Sequence, residues 1–232
     1  MADFKIQGIT PAAEKLKLGG SNVSKIYNGS TLVWPTTFVC SYTFTSKAEL
    51  QTAVNLWISN ESSAIATYGQ INNWCTGAIT DMSYLFSGST FNDDISNWDV
   101  SNVTNMSSMF VNASSFNQDL SAWDVSSATN MAQMFRIASA FNNGGAAGIG
   151  SWDVSNVTFM GYMFNSAVAF NQNIGAWGVG SVTDMGYMFN NATLFNQNLT
   201  GWCVTNISSE PGGFSTSSAL TTANKPVWGT CP

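Results

Sequence analysis

The sequence contains no histidine, and charged residues make up only 9% of its 232 residues, well below the roughly 25% of an average soluble domain. The absence of histidine removes the commonest general base and the commonest zinc ligand. The seven lysines and arginines are too few to line a nucleic-acid site, and the net charge is −6. We therefore expect no nucleic-acid partner, no metal and no cofactor.

Long apolar runs are also missing. No window approaches the roughly 18 apolar residues that mark a membrane span, and residues 1–20 lack the apolar core of a cleaved secretory signal. The sequence therefore predicts no membrane insertion and no export by such a signal. The chain is nevertheless 44% hydrophobic and 13% aromatic, which is ample material for a buried core.

What the sequence does contain is an internal repeat. WDVSNVTNMSSMF at residues 98–110 returns almost unchanged as WDVSNVTFMGYMF at 152–164, and an insertion at 142–150 lengthens one interval. A tryptophan recurs about every 25 residues, as Trp74, Trp98, Trp123, Trp152, Trp177 and Trp202. A fixed period of this size indicates units that stack and bury a shared apolar face.

The repeat also predicts a fold class. Its spacing I/L-x-x-W-x-V-x-x-V resembles the strand of a leucine-rich repeat, so we place a short parallel strand at residues 98–100 and their equivalents. The T-x-M-x-x-M-F segment suits one helical turn, with Thr104 as its N-cap. The predicted fold is an α+β solenoid, a right-handed coil of about five units.

Four segments follow along the chain. Residues 1–36 form an N-terminal module, 37–73 an N-terminal cap, 74–202 the solenoid and 203–232 a C-terminal cap. In the N-terminal cap, SKAELQTAVNLWIS begins with a capping box and continues with apolar residues at helical spacing. The residues concerned are Ser46 and Glu49, then Leu50, Ala53, Val54 and Trp57.

A Phe-Asn pair recurs in every unit. An asparagine amide can bond the backbone of its own and the adjacent coil, which satisfies polar groups that would otherwise be buried without a partner. We favour such a structural ladder over ligand binding. Its members are Asn92, Asn117, Asn142, Asn171 and Asn196.

The positions before the two methionines of each unit vary while the frame stays fixed, which makes them candidates for a ligand surface. Their aromatic members would suit carbohydrate stacking, and the alternative is that they pack against the next coil. The candidate residues are Tyr84, Asn105, Asn130, Gln133, Phe159, Tyr162, Asp184 and Tyr187.

Four cysteines occur without metal-ligand spacing. Cys203 replaces the Asp of WDV and Cys231 lies in the closing segment, so a disulfide could lock the C-terminal cap. Cys75 occupies the same column in the first unit and could pair with Cys40. The alternative is four buried thiols that act as small apolar groups.

Paired carboxylates are the only catalytic candidates. Asp93 and Asp94 are adjacent, so on an extended segment they point to opposite faces, and Asp119 lies in the next unit. We therefore predict no enzymatic activity. For the Asp of WDV, at Asp99 and its equivalents, we favour turn capping over calcium binding.

These features resemble the BspA-like leucine-rich-repeat surface proteins, whose 25-residue repeat W-D-V-S-x-V-T-x-M-x-x-M-F is of the mycoplasma lipoprotein type. The resemblance covers about residues 46–232. It implies a non-catalytic solenoid that is displayed on a surface for adhesion or partner binding.

The N-terminal module contains VSKIY and STLVW around Asn28-Gly29, a strong hairpin signal. The stretch also resembles a short module, V-x-K-I-Y-x-G-S-x-x-V-W, of marine bacteriophage structural and tail proteins. That resemblance implies docking to other virion proteins through residues 1–36, and the alternative is a hairpin that only extends the cap. The candidate docking residues are Lys25, Tyr27, Asn28, Gly29 and Trp34.

The leading functional prediction is a non-enzymatic bacteriophage virion protein, carried on the capsid or tail as a decoration or as a host-surface binder. Its expected partners are virion proteins, further copies of itself, and a glycan or protein of the host surface. The first alternative is an adhesin on a bacterial cell surface. The second is a glycan-processing enzyme that uses aspartate carboxylates.

Overall fold

The computed structural model describes residues 39–232 and the backbone of four short strand segments before them. The chain divides into two compact units, Met1–Val39 and Cys40–Pro232. Among the described residues, no helix combines the length and the apolar character that a membrane crossing requires.

The first unit contains two antiparallel pairs: β1 (Lys17–Leu18) with β2 (Ser21–Asn22), and β3 (Ile26–Asn28) with β4 (Thr31–Trp34). The β3–β4 pair is the hairpin that the sequence predicts, with Asn28 opposite Thr31. The predicted docking role falls on side chains outside the described residues, namely those of Lys25, Tyr27, Asn28, Gly29 and Trp34.

The second unit begins with a cap. Strand β5 (Tyr42–Thr43) pairs in parallel with β6 (Trp74–Cys75), and between them lie α1 (Lys47–Ser59), α2 (Glu61–Tyr68) and a 3-10 turn at Ile71–Asn73. The hydroxyl of Ser46 accepts from the Glu49 N–H at 3.3 Å, so α1 begins where the capping box predicts. The predicted apolar face of α1 is buried. The second helix, α2, was not predicted.

From residue 80 onward the backbones of successive repeat units are hydrogen-bonded to one another, but the pairing does not lie where we expected the strand. The parallel pairing runs through the residue before the first methionine of each unit: Asp81, Asn105, Asn130, Phe159 and Asp184. The equivalent residues of the first repeat, Trp74–Cys75, do form a parallel strand, β6. At residues 98–100 the predicted strand is absent, and the Trp98 N–H donates to the Ile95 carbonyl three residues earlier at 3.0 Å.

The predicted helical turn is also wrong. Met109 N–H donates to the Met106 carbonyl at 3.2 Å, and Ser108 between them has a φ of 57°, which an α-helix does not allow. The Ser108 N–H instead donates to Ala132 of the next unit at 2.9 Å. The Thr104 hydroxyl donates to the Thr80 carbonyl of the previous unit, so it caps no helix.

The core is a stack of aromatic rings. The predicted burial of the six repeat tryptophans is confirmed, with at most 5% of any of them exposed. One phenylalanine column, Phe86, Phe110, Phe135, Phe164 and Phe189, stacks with ring centroids 5.3–5.8 Å apart. We propose that Cys40–Pro232 is a solenoid of the predicted class whose unit is built from turns.

Both ends of the second unit carry a disulfide. One joins Cys40, next to β5, to Cys75 in β6, and the other joins Cys203 to Cys231. At the C-terminal end the Phe189 N–H donates to the Phe214 carbonyl at 2.8 Å, which continues the backbone ladder by one more layer. These are the two pairings that the cysteine columns suggest.

Candidate ligand-binding surface

The asparagine column is a hydrogen-bond ladder. Each Oδ1 accepts the backbone N–H of the asparagine one unit later, at 2.8–3.1 Å, through Asn92, Asn117, Asn142, Asn171 and Asn196. Glutamine side chains reinforce three of the steps; Gln197, for example, donates to both the Oδ1 and the carbonyl of Asn171. The last Oδ1 accepts from Thr221. These side chains therefore support the frame rather than a ligand.

A second ladder, which the sequence analysis missed, involves the indole nitrogens. Each repeat tryptophan from Trp98 onward donates from Nε1 to a carbonyl of the preceding layer; Trp123, for example, donates to Ile95 at 3.1 Å and Trp177 to Ile149 at 2.8 Å. A buried indole N–H needs such a partner. The fixed spacing between the tryptophan and the preceding Ile or Leu was the available signal.

The insertion is held by Asn143, which is fully buried and was not predicted. Its Oδ1 accepts the Leu120 N–H at 2.8 Å, and its Nδ2 donates to the Ala146 carbonyl at 2.7 Å. No sequence pattern indicates this role, because it depends on the local path of the inserted loop.

The WDV aspartates cap turns. Asp99, Asp124 and Asp153 each accept the N–H of the residue two positions later, at 3.0–3.1 Å. Hydrogen bonding by the Ser126 side chain and N–H lowers the pKa of Asp124 below its usual value. Among the described residues, no group of three or more cysteines and carboxylates is placed to hold a metal ion.

The carboxylates considered for catalysis have separate structural partners. Asp93 Oδ2 accepts from the Trp57 indole at 2.8 Å, whereas Asp94 Oδ2 accepts from the Asn72 amide at 2.8 Å. Asp119 Oδ1 accepts the N–H of Ser121 at 2.9 Å. The three groups therefore point to different neighbours.

Three of the predicted ligand residues support their own turns. Asn105, Asn130 and Asp184 each accept a backbone N–H two residues later, at 2.8–3.1 Å. The side-chain oxygen that would contact a ligand is therefore engaged. Phe159 occupies the same column, cannot form this bond, and is 48% exposed.

Tyr162 and Tyr187 form a stacked pair. Their rings lie 4.8 Å apart and 9° from parallel. The guanidinium of Arg136 lies 5.7 Å from the Tyr162 ring centre, and Gly213 lies so close to the Tyr187 ring that a Cβ there would come within 2.4 Å of Cδ1. Packing within the stack thus covers much of the ring faces, and the tyrosine edges remain exposed.

The remaining predicted positions differ from one another. Tyr84 is the most exposed aromatic residue of the set, at 58%. Gln133 accepts from Arg136 Nη1 at 3.2 Å, so its amide oxygen is occupied. The aromatic side chains that offer most surface to a partner are therefore Tyr84 and Phe159, with the edges of Tyr162 and Tyr187.

A cavity that the sequence did not predict opens beside the cap. Its volume is about 470 Å³, and it lies between the end of α1, the start of α2 and the first Phe-Asn segment. Trp57 and Phe91 supply buried apolar walls, and the other lining residues are Ile58, Ser59, Glu61, Thr90, Asn92 and Asp93.

Comparison with known proteins gives one match. A family model described as "Mycoplasma protein of unknown function, DUF285" matches residues 57–147 and 146–228, which together cover the end of α1, all of α2 and all of the repeats. No curated protein and no solved structure matches the chain. The chain therefore belongs to the DUF285 family, the family of the BspA-like mycoplasma repeat proteins.

Proposed function

We propose that the protein is a non-enzymatic adhesion module displayed on a bacterial cell surface. The observation that carries the proposal is the family match over residues 57–228, since the family suggests a surface repeat protein. Display on a surface also fits a chain whose repeated polar residues serve the frame and which exposes aromatic residues at several of its variable positions.

The binding surface of this module consists of exposed aromatic side chains at variable positions. Tyr84, Phe159 and Tyr187 are 42–58% exposed, although aromatic groups are the costliest to leave in water. Tyrosine and arginine are also the residues that most often anchor protein interfaces. The stack already fixes Tyr162 and Tyr187, so binding a partner costs little further side-chain entropy there.

Substitutions taken from the chain's own units test this proposal without disturbing the frame. Phe159→Asn places the residue of Asn105 in that column, and Tyr84→Ser places the residue of Ser108. Beads coated with the full chain are incubated with a panel of bacterial and animal cells, and the beads that attach to each cell type are counted. We expect attachment to at least one cell type, and a loss of about tenfold in the double variant.

The matched control is Leu194→Ala, which removes another side chain that is 59% exposed and copies Ala140 and Ala169 at the equivalent positions. It should leave attachment unchanged. An equal loss in Leu194→Ala and in the double variant would refute the assignment of the surface. Absence of attachment to every cell type would refute the adhesion proposal itself.

Display on a bacteriophage particle is the second candidate. It rests on the resemblance of residues 23–34 to a phage module and on the β3–β4 hairpin, and the family match does not support it. Fusing residues 1–36 to a fluorescent protein tests it. Fluorescence that co-purifies with phage particles favours virion docking, and fluorescence that stays in solution removes it.

A further inference from the structure

We propose that the cavity beside the cap binds an N-acetylated amino sugar. This inference rests on the proposed adhesion function and names a ligand class for a second site, away from the exposed tyrosines. The cavity has a volume of about 470 Å³, within the range of roughly 300–1,000 Å³ that small-molecule sites occupy.

The asparagine ladder is open at this cavity. In later units the asparagine N–H donates to the Oδ1 of the asparagine one unit earlier, at 2.8–3.1 Å. Asn92 is the first member, and within residues 39–232 its N–H has no acceptor. Asn92 lines the cavity, so a residue of the site carries an unbonded backbone donor where each later unit has a bonded one.

The next position also departs from the repeat. Gln118, Gln172 and Gln197 donate an amide to the previous asparagine, whereas the equivalent residue at the cavity is Asp93, which can only accept. The Asp93 carboxylate is held by the Trp57 indole through Oδ2 at 2.8 Å, and its Oδ1 has no partner among the described residues. Glu61 contributes a second carboxylate to the lining.

A ligand for this site must therefore accept one hydrogen bond and donate several. A cationic group cannot accept from Asn92, and an anionic group would be repelled by Asp93 and Glu61. An acetamido group accepts through its carbonyl and donates through its N–H, and the ring hydroxyls donate to the carboxylates. Ile58, which is 40% exposed, offers apolar surface to the sugar ring.

Calorimetric titration of the full chain tests the assignment with three probes. Tri-N-acetylchitotriose carries the acetamido groups, maltotriose has similar rings without them, and N-acetylglutamine amide has amides without a sugar. We expect the chitotriose to bind about tenfold more tightly than either of the other two. Failure of the chitotriose to bind, or equal or tighter binding of another probe, would overturn the proposal.

Variants then locate the site. Glu61→Gln and Asp93→Asn each remove a carboxylate from the cavity, and the amide oxygen introduced at position 93 can still accept from Trp57, so each should weaken binding about fivefold or more. Asp184→Asn is the control, because it lies outside the cavity and copies Asn105 at the equivalent position. Unchanged binding in both cavity variants, or an equal loss in the control, would contradict the site.

The two proposals fail separately. A chain that attaches to cells but does not bind the chitotriose overturns only the sugar site. A chain that binds the chitotriose but attaches to no cell overturns only the adhesion function.

Discussion

Single polar residues hold the layers of this protein together. Asn117 accepts the N–H groups of Asn142 and Gly144 from the next layer at 2.8 and 2.9 Å, and the hydroxyl of Thr129 donates to the Thr104 carbonyl at 3.2 Å. A backbone N–H that loses such a partner in a partly buried place costs free energy. The low charge of the chain is therefore compatible with a well-bonded surface.

The asparagine ladder gives the first prediction. Replacing Asn117 with alanine leaves two N–H groups without their acceptor, so the free energy of unfolding should fall by about 1–2 kcal/mol. Urea denaturation followed by tryptophan fluorescence measures this change. The control is Asn97→Ala, because the Asn97 side chain makes no hydrogen bond within residues 39–232, and the Asn97 backbone N–H, which donates to Asn72, is kept in the variant. Equal stability of the two variants would show that the ladder contributes nothing.

The carboxylates that cap turns give a pH dependence of defined sign. Hydrogen bonding by Ser155, from its side chain and its N–H, lowers the pKa of Asp153 below the ordinary value of 3.8. Ser126 lowers the pKa of Asp124 in the same way. A folded-state pKa below the unfolded one stabilises the fold above about pH 3.8 and ceases to do so as the pH falls through the folded-state value.

The melting temperature should accordingly fall on acidification below about pH 3.8, and less steeply in Asp124→Asn/Asp153→Asn, where asparagine keeps an acceptor that does not titrate. Calorimetry across this range compares the two proteins. A variant that loses as much stability as the wild type on acidification would contradict the assignment.

At the residue scale, the sequence predicted the repeated Asn ladder, but it missed the repeated indole ladder and the contacts that occur once. The Asn ladder was predictable because the same asparagine recurs in register in every unit. The Arg136–Tyr162–Tyr187 stack was not, because it depends on one arginine lying one layer before Tyr162 and two layers before Tyr187. Asn143 was not either, because its contacts depend on an inserted loop.

Within one unit, turns replace the strand and helix that the pattern suggested. The residue before the second methionine has a positive φ in every unit, 55–61°, and a second such column follows four residues later. Apolar spacing correctly predicted the buried face, but the spacing of buried residues does not specify the sign of φ. The backbone bonds between layers hold these residues in the left-handed region, which L-residues normally avoid.

That second column gives a prediction at the scale of the element. Ile137 has a φ of 60°, where a β-branched residue is strained, and it is 37% exposed. The equivalent residue one unit earlier is Asn112, and asparagine tolerates this conformation better. Ile137→Asn should therefore raise the stability by about 1 kcal/mol, or about 2–4 °C in melting temperature for a chain of this size.

Differential scanning calorimetry measures the shift. Leu194→Asn is the comparison, since it removes another exposed apolar side chain at a position that has no positive φ, and it should not stabilise. If Ile137→Asn melts at or below the wild-type temperature, the strain at this column is smaller than the geometry indicates.

For the second unit as a whole, the central claim is that the 25-residue period corresponds to one layer of a stack. Hydrogen bonds between positions 23–32 residues apart recur along the backbone, in the Asn column and in the Trp column. The sequence predicted this organisation because periodicity is visible at that scale. It did not predict α2 or the adjoining cavity, because the caps occur once and follow no period.

Deleting part of the repeat tests this claim most directly. Removal of residues 98–122 takes out one complete layer and joins Asn97 to Trp123 in register, so Asn92 meets Asn142. Removal of residues 98–110 takes out half a layer and puts the aromatic and asparagine columns out of register. Thermal unfolding followed by near-UV circular dichroism should show one cooperative transition, at a lowered temperature, for the first protein and none for the second. Cooperative folding of the half-layer deletion, or failure of the full-layer deletion to fold, would contradict the account.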